Sequence, residues 1–317
     1  MKNTLYLLSL LLIVLSSCEK ELEIKTKEDE NKIVINSIVN PDSLFSAEIT
    51  KTFSPYEKFI VQELENAQVA VYENNIFIEN LSYQKSPEDS LGRFTGTFRP
   101  EIGRQYRLEV NEPNLGKARA EANIPARANI SQEKAVKIKW GEDNLTSVRF
   151  NFSFVLEDPI DEDYYFMTIE FPVFHVDTIT RDTSFFEFQY CEIETGSLPL
   201  HQLYVRNGLI FNDKSFNGTN HIISGSATTY AHAFSENTHD VDWDDRDKIF
   251  YLDFSKMYIR LHHINYELYQ FYSSHAKKLA SENDLYSEPI PVYSNIENGY
   301  GIFGGENINL RQIVVEF

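Results

Sequence analysis

Oxygen acids and imidazoles dominate the chemically capable side chains of this sequence, which has 48 Asp and Glu, 8 His and only 2 Cys. One dense group of acids is Asp158, Asp161, Glu162 and Asp163; another is Asp240, Asp242, Asp244, Asp245 and Asp247 around Trp243. A carboxylate pair divides the roles of general acid and base on a glycan when the fold sets its separation, which no sequence fixes. Five carboxylates in one loop have the oxygen chemistry that calcium takes. This loop lacks the glycine and closing Glu of an EF-hand, so a solvated acidic loop is expected. His232 and His239 flank it. His262 and His263 are adjacent on an expected strand, so they point to opposite faces and do not share one ion. Gly299-x-Gly301-x-x-Gly304 meets the dinucleotide spacing, but strand-like Ile308 to Phe317 follows where a phosphate-binding helix would have to begin. The sequence has no Gly-x-Ser-x-Gly, no His-Glu-x-x-His and no P-loop lysine. No catalytic residue, metal site or cofactor is assigned, and the expected protein is not an enzyme.

The chemistry of Cys18 is specified more closely. After Lys2, residues Leu5 to Leu15 are nearly continuous Leu, Ile and Val, and Leu15-Ser16-Ser17-Cys18 closes the run. That order is a secretory signal peptide, and its end resembles the bacterial lipobox, where cleavage precedes a lipidated cysteine. The run is too short for a transmembrane helix, which needs about 20 residues. Residues 1–17 are therefore read as a lipoprotein signal peptide and Cys18 as the lipid attachment that holds the chain on a bilayer. Two acyl chains hold a membrane stably where one does so marginally. Residues 18–31 read as a charged tether that reaches about 40 Å when extended. Its Cys18-Glu19-Lys20-Glu21 start resembles the signal that sends Bacteroidota lipoproteins to the cell surface; the periplasmic face of the outer membrane is the alternative. The formal charge of −19 argues against a nucleic-acid partner, whose phosphates require basic patches. With Cys18 acylated, Cys191 has no intramolecular partner and is expected to be a small buried hydrophobe.

The elements follow from periodicity. From Lys32 apolar residues alternate with polar ones: Ile33 and Ile35; Ala67, Val69 and Val71; Phe94 and Phe98; Tyr106, Leu108 and Val110. About seven short strands separated by turn residues predict an immunoglobulin-like or transthyretin-like sandwich over residues 32–127. Residues 128–317 are expected to form a larger β-rich domain, in which Val148, Phe150, Phe152 and Phe154 alternate most clearly. A strand from Tyr164 to Phe171 is expected to end near Pro172 at a sheet edge. Asn265 is the expected N-cap of one helix over about 266–281. Residues 173–248 show no clear period and mix strand-like pieces such as Phe185 to Tyr190 with polar loops. They are expected to carry loops that meet a partner, with variable padding as the alternative.

Pro291 to Gly304, with its Ser-Asn-Ile-x-Asn-Gly-x-Gly-Ile-Phe core, resembles the closing signature of a Bacteroidota lipoprotein family, domain-of-unknown-function family 4249. The lipobox, the Asn66-Ala67-Gln68-Val69 strand, and the Tyr106-x-Leu-x-Val strand before Ile124-Pro125 come in the expected order. The resemblance supplies no catalytic residues. It implies neighbourhood with outer-membrane transport genes, and hence a binding or accessory role beside a TonB-dependent transporter in nutrient uptake. A structural or adhesive surface protein is the alternative, and a glycan- or peptide-cleaving enzyme a third.

Overall fold

The computed structural model describes residues 31–53, 61–87, 89–140, 147–177, 180–198, 203–205, 208–230, 248–281, 288 and 290–317. Alternating sequences give strands with one apolar face, and such faces bury each other in pairs. Nine strands precede residue 124: β1 (Ile33–Val39), β2 (Ser46–Lys51), β3 (Gln62–Glu63), β4 (Gln68–Glu73), β5 (Ile76–Asn80), β6 (Ser82–Gln84), β7 (Arg93–Thr95), β8 (Gln105–Glu112) and β9 (Gly116–Asn123). The order β1-β2-β7-β6 makes one layer and β5-β4-β8-β9 the other. Ile33, Ile35, Ala47 and Ile49 share a buried cluster with Val69, Val71, Leu108 and Val110. Phe45 meets Tyr106 edge-on in that cluster, at 5.9 Å between ring centroids.

The later strands are β10 (Asn129–Trp140), β11 (Ser147–Glu157), β12 (Tyr164–Asp177), β13 (Thr183–Tyr190), β14 (Glu192–Thr195), β15 (Leu203–Val205), β16 (Gly208–Asn212), β17 (Asn220–Tyr230), β18 (Lys248–Leu252), β19 (Lys256–Ile264) and β20 (Gly299–Glu316). The order β14-β17-β11-β10 forms one face, while β12 pairs with β13, β16, β18 and β19. Phe150 of β11 and Phe171 of β12 join the two across the core, with ring centroids 4.5 Å apart. The fold is thus mostly β and sandwich-like, with its single helix among the described residues near the C-terminus.

Strand β20 ties the two cores together. Its first seven residues, Gly299 to Gly305, run parallel to β1, and Glu306 to Val314 then pair antiparallel with β19. Gly301 has φ +102°, and a Cβ there would fall on the Ile35 carbonyl; only glycine adopts that backbone at such close approach. The glycine run therefore sits inside a strand that continues to Glu316.

Helix α1 (Tyr266–Ser281) begins where Asn265 Oδ1 accepts the Leu268 N–H at 3.1 Å, an N-cap that satisfies an otherwise orphaned donor. Leu268 and Ala276 pack with Ile210, Ile264 and Ile302. Leu279, in the last turn, is 42% exposed. Among the described residues no helix is long and apolar enough to cross a membrane.

One expected boundary is corrected. Strand β12 does not end at Pro172 or lie at an edge, but continues to Asp177 between neighbours. Pro172 falls where β12 changes partner, its ladder with β19 reaching Glu170 and that with β18 starting at Val173. Its carbonyl accepts the Asp253 N–H at 3.0 Å in the β18–β19 connection. A residue's N–H and C=O point the same way in an antiparallel ladder, so the missing N–H faces that connection and breaks no rung.

Candidate functional site

Two regions depart from ordinary packing. The first is a hub of acids at one end of the second core. Asp158 follows β11, Asp163 precedes β12, and Asp213 follows β16; pairing of Tyr164 with Asn212 brings the last two together. Their carboxylates offer oxygens that all lie within 4.8 Å of one another. Asp158 and Asp163 are 8% exposed and Asp213 is fully buried.

Fixed donors hold part of this charge. Asp158 accepts from the Tyr165 hydroxyl at 2.7 Å and the Gly218 N–H at 2.9 Å. Asp213 Oδ2 accepts the Asp163 N–H at 3.0 Å. His263 Nε2 lies 2.8 Å from Asp163 Oδ1, and Nδ1 lies 2.8 Å from the Ala126 carbonyl. A carbonyl only accepts, so Nδ1 is the nitrogen that donates there. Burial, with the nearby charges of Asp158 and Asp163, pushes the Asp213 carboxyl up to about 6. Burial likewise raises Asp158, against the lowering effect of its hydrogen bond from Tyr165. Asp163 Oδ2 and Asp213 Oδ1 meet no hydrogen-bond donor.

The second region is an arm formed by the far halves of β12 and β13. Among the described residues β13 pairs with β12 alone. Val173 pairs with Glu187 and Phe174 with Phe185, so Phe186 is the extra residue of a β-bulge. Phe185 and Phe186 are each 53% exposed and Tyr190 is 42% exposed. Phe188 turns inward on Tyr258 at 5.1 Å and lies under Arg260. At the root of the arm Arg260 clasps the buried Glu170 through two bonds of 3.1 and 3.2 Å.

The structure sorts the sequence candidates. Of the four acids at 158–163, Asp158 and Asp163 converge, while Asp161 and Glu162 are exposed and Glu162 pairs with Lys214 at 3.1 Å. Sequence reasoning missed Asp213. The two adjacent histidines do diverge: His263 enters the hub, whereas His262 turns to Glu306 at 2.8 Å. Cys191 is free and buried, and burial pushes its thiol far up. Cys18, His232, His239 and the Asp240–Asp247 loop lie outside the described residues.

The fold defines the class as a β-sandwich protein whose last strand is shared by two cores. The family model for the domain of unknown function (DUF4249) matches residues 19–310, and the chain belongs to that family. No match is found among curated proteins.

Proposed function

We propose that the protein is a non-enzymatic binding or accessory lipoprotein of the outer membrane, anchored at Cys18, that contacts a TonB-dependent transporter in nutrient uptake. The β13 arm is the observation that carries this reading. A strand edge with no second strand partner among the described residues offers backbone groups for pairing with another chain, and half-exposed phenylalanines beside it supply contact area. Covering the exposed half of Phe185 and of Phe186 is worth about 1 kcal/mol each, enough for more than a tenfold gain in affinity. The arm lies within residues 173–248, distal in sequence to the tether, and loops and edges on a rigid scaffold are where binding residues concentrate. The lipobox supports the anchor, and the genomic company of the resembling family supports the transporter.

An adhesive surface role draws on a different observation, the run Ile76, Phe77 and Ile78 on β5, at 70%, 51% and 38% exposure. The decisive experiment purifies the protein from its own membrane in mild detergent and identifies what accompanies it. A barrel protein is expected; matrix material without a barrel favours adhesion. In parallel, Cys18→Ala is expected to abolish labelling by palmitate, and a labelled variant contradicts the anchor.

A further inference from the structure

We propose that Asp158, Asp163 and Asp213 hold a calcium ion that fastens the second core to the connector between the two sandwiches. Charge is the first argument. Three buried carboxylates converge at one point, and His263 faces only Asp163 among them. Among the described residues no Lys or Arg forms an ion pair with any of the three, and buried charge left uncompensated is strongly destabilising. A divalent cation balances it.

The second argument is the pair of orphaned oxygens. Asp213 is fully buried, and its Oδ1 has no donor; Asp163 is 8% exposed, and its Oδ2 has none. Buried acceptors are almost always satisfied, and these two belong to carboxylates that already converge. The donor set is oxygen only, which selects a hard cation. Burial then favours calcium, because magnesium dehydrates reluctantly and keeps several waters, whereas calcium accepts flexible, protein-supplied oxygen shells. His263 lies behind the site rather than in it. It orients Asp163 through Nε2 and reaches the Ala126 carbonyl through Nδ1, so the ion's hold passes to residue 126 between the sandwiches. Asp158 is likewise aimed by Tyr165 and by Gly218 in the turn after β16.

The test uses the full mature chain, purified with calcium present. Metal analysis is expected to find one calcium per chain. Chelation is expected to lower Tm by about 5 °C, the size expected of a ligand held near one hundred times its Kd in a protein of this length. Asp213→Asn keeps the side chain's shape and its bond to the Asp163 N–H; it is expected to fold, lose the metal and lose the Tm response to calcium. Asp161→Asn, at an exposed acid next to the site, is expected to keep both. A chain free of metal whose Tm ignores calcium and chelator overturns the proposal. So does an Asp213→Asn variant that melts higher than a calcium-indifferent wild type, which points to a proton shared between the acids. An equal response to magnesium alone overturns the choice of calcium.

Discussion

The aspartate hub and the β13 arm invert the usual distribution of side chains in opposite directions. In the hub three acids lie inside, at 8% exposure or less, and in the arm two phenylalanines lie outside, each 53% exposed. Acids are rarely buried without partners, and here each is held by donors from other elements: Tyr165, Gly218, the Asp163 N–H and His263. In the arm the exposed rings stand on a ladder of backbone bonds, β12 pairing with β13 and with β18. An inversion inside the molecule costs stability and must be offset at the site itself. An inversion outside costs the folded chain little and is relieved when another surface covers it. The two regions should therefore respond to mutation in opposite ways, the hub through stability and the arm through binding.

The largest effect falls at the root of the arm. Glu170 is 1% exposed, and Arg260→Ala leaves its charge unpaired in the core. A loss of about 3–5 kcal/mol is expected by denaturant titration; a loss under ~1 kcal/mol would show that the root contributes no rigidity. In the hub, Tyr165→Phe removes one donor from Asp158 and leaves the ring in place. A hydrogen bond to a charged group is worth about 1.5–3 kcal/mol, and a loss of that size is expected; no loss would mean that Asp158 is held otherwise.

A carboxylate outside both regions sharpens the contrast. Glu63 accepts from Lys85, Tyr83 and the Gly92 N–H, and these donors, Lys85 foremost, hold it near 2 against an ordinary 4.5. A depressed value means that its contribution is present above about 4.5 and is lost as pH falls through about 2. Glu63→Gln is expected to flatten the fall in stability over that window, and an unchanged pH profile counts against the network. The smallest stability effect belongs to the arm. Phe185→Ser with Phe186→Ser is expected to shift stability by no more than about 0.5 kcal/mol per site, as surface substitutions do, and a collapse in Tm would assign both rings to the core.

The same contrast explains what the sequence made legible. Period-two strands such as Phe150, Phe152 and Phe154 can be read because one face is buried, and α1 because Asn265 caps a run of helical spacing. Strand β13 shows through its strand-like Phe185 to Tyr190 stretch rather than through alternation, since Thr183 to Glu187 are exposed on both faces. Asp158 and Asp163 stood out as neighbours in an acidic stretch, but Asp213 is 50 residues from Asp163, and only the β12–β16 ladder joins them. Pro172 misled because its cost depends on which neighbour its missing N–H faces, a property of the connection between β18 and β19. The shared strand β20 was equally hidden, since pairing with β1 joins residues almost a chain length apart.

The claim that the arm is a binding surface is tested most directly by quantitative co-purification. Wild type and the Phe185→Ser/Phe186→Ser variant are recovered in mild detergent from membranes that anchor equal amounts of each, and the accompanying barrel protein is measured. The account predicts a barrel in near-equal proportion with the wild type and at least about tenfold less with the variant, the loss that 1.4 kcal/mol of binding represents. Equal recovery of the barrel with both chains would contradict it.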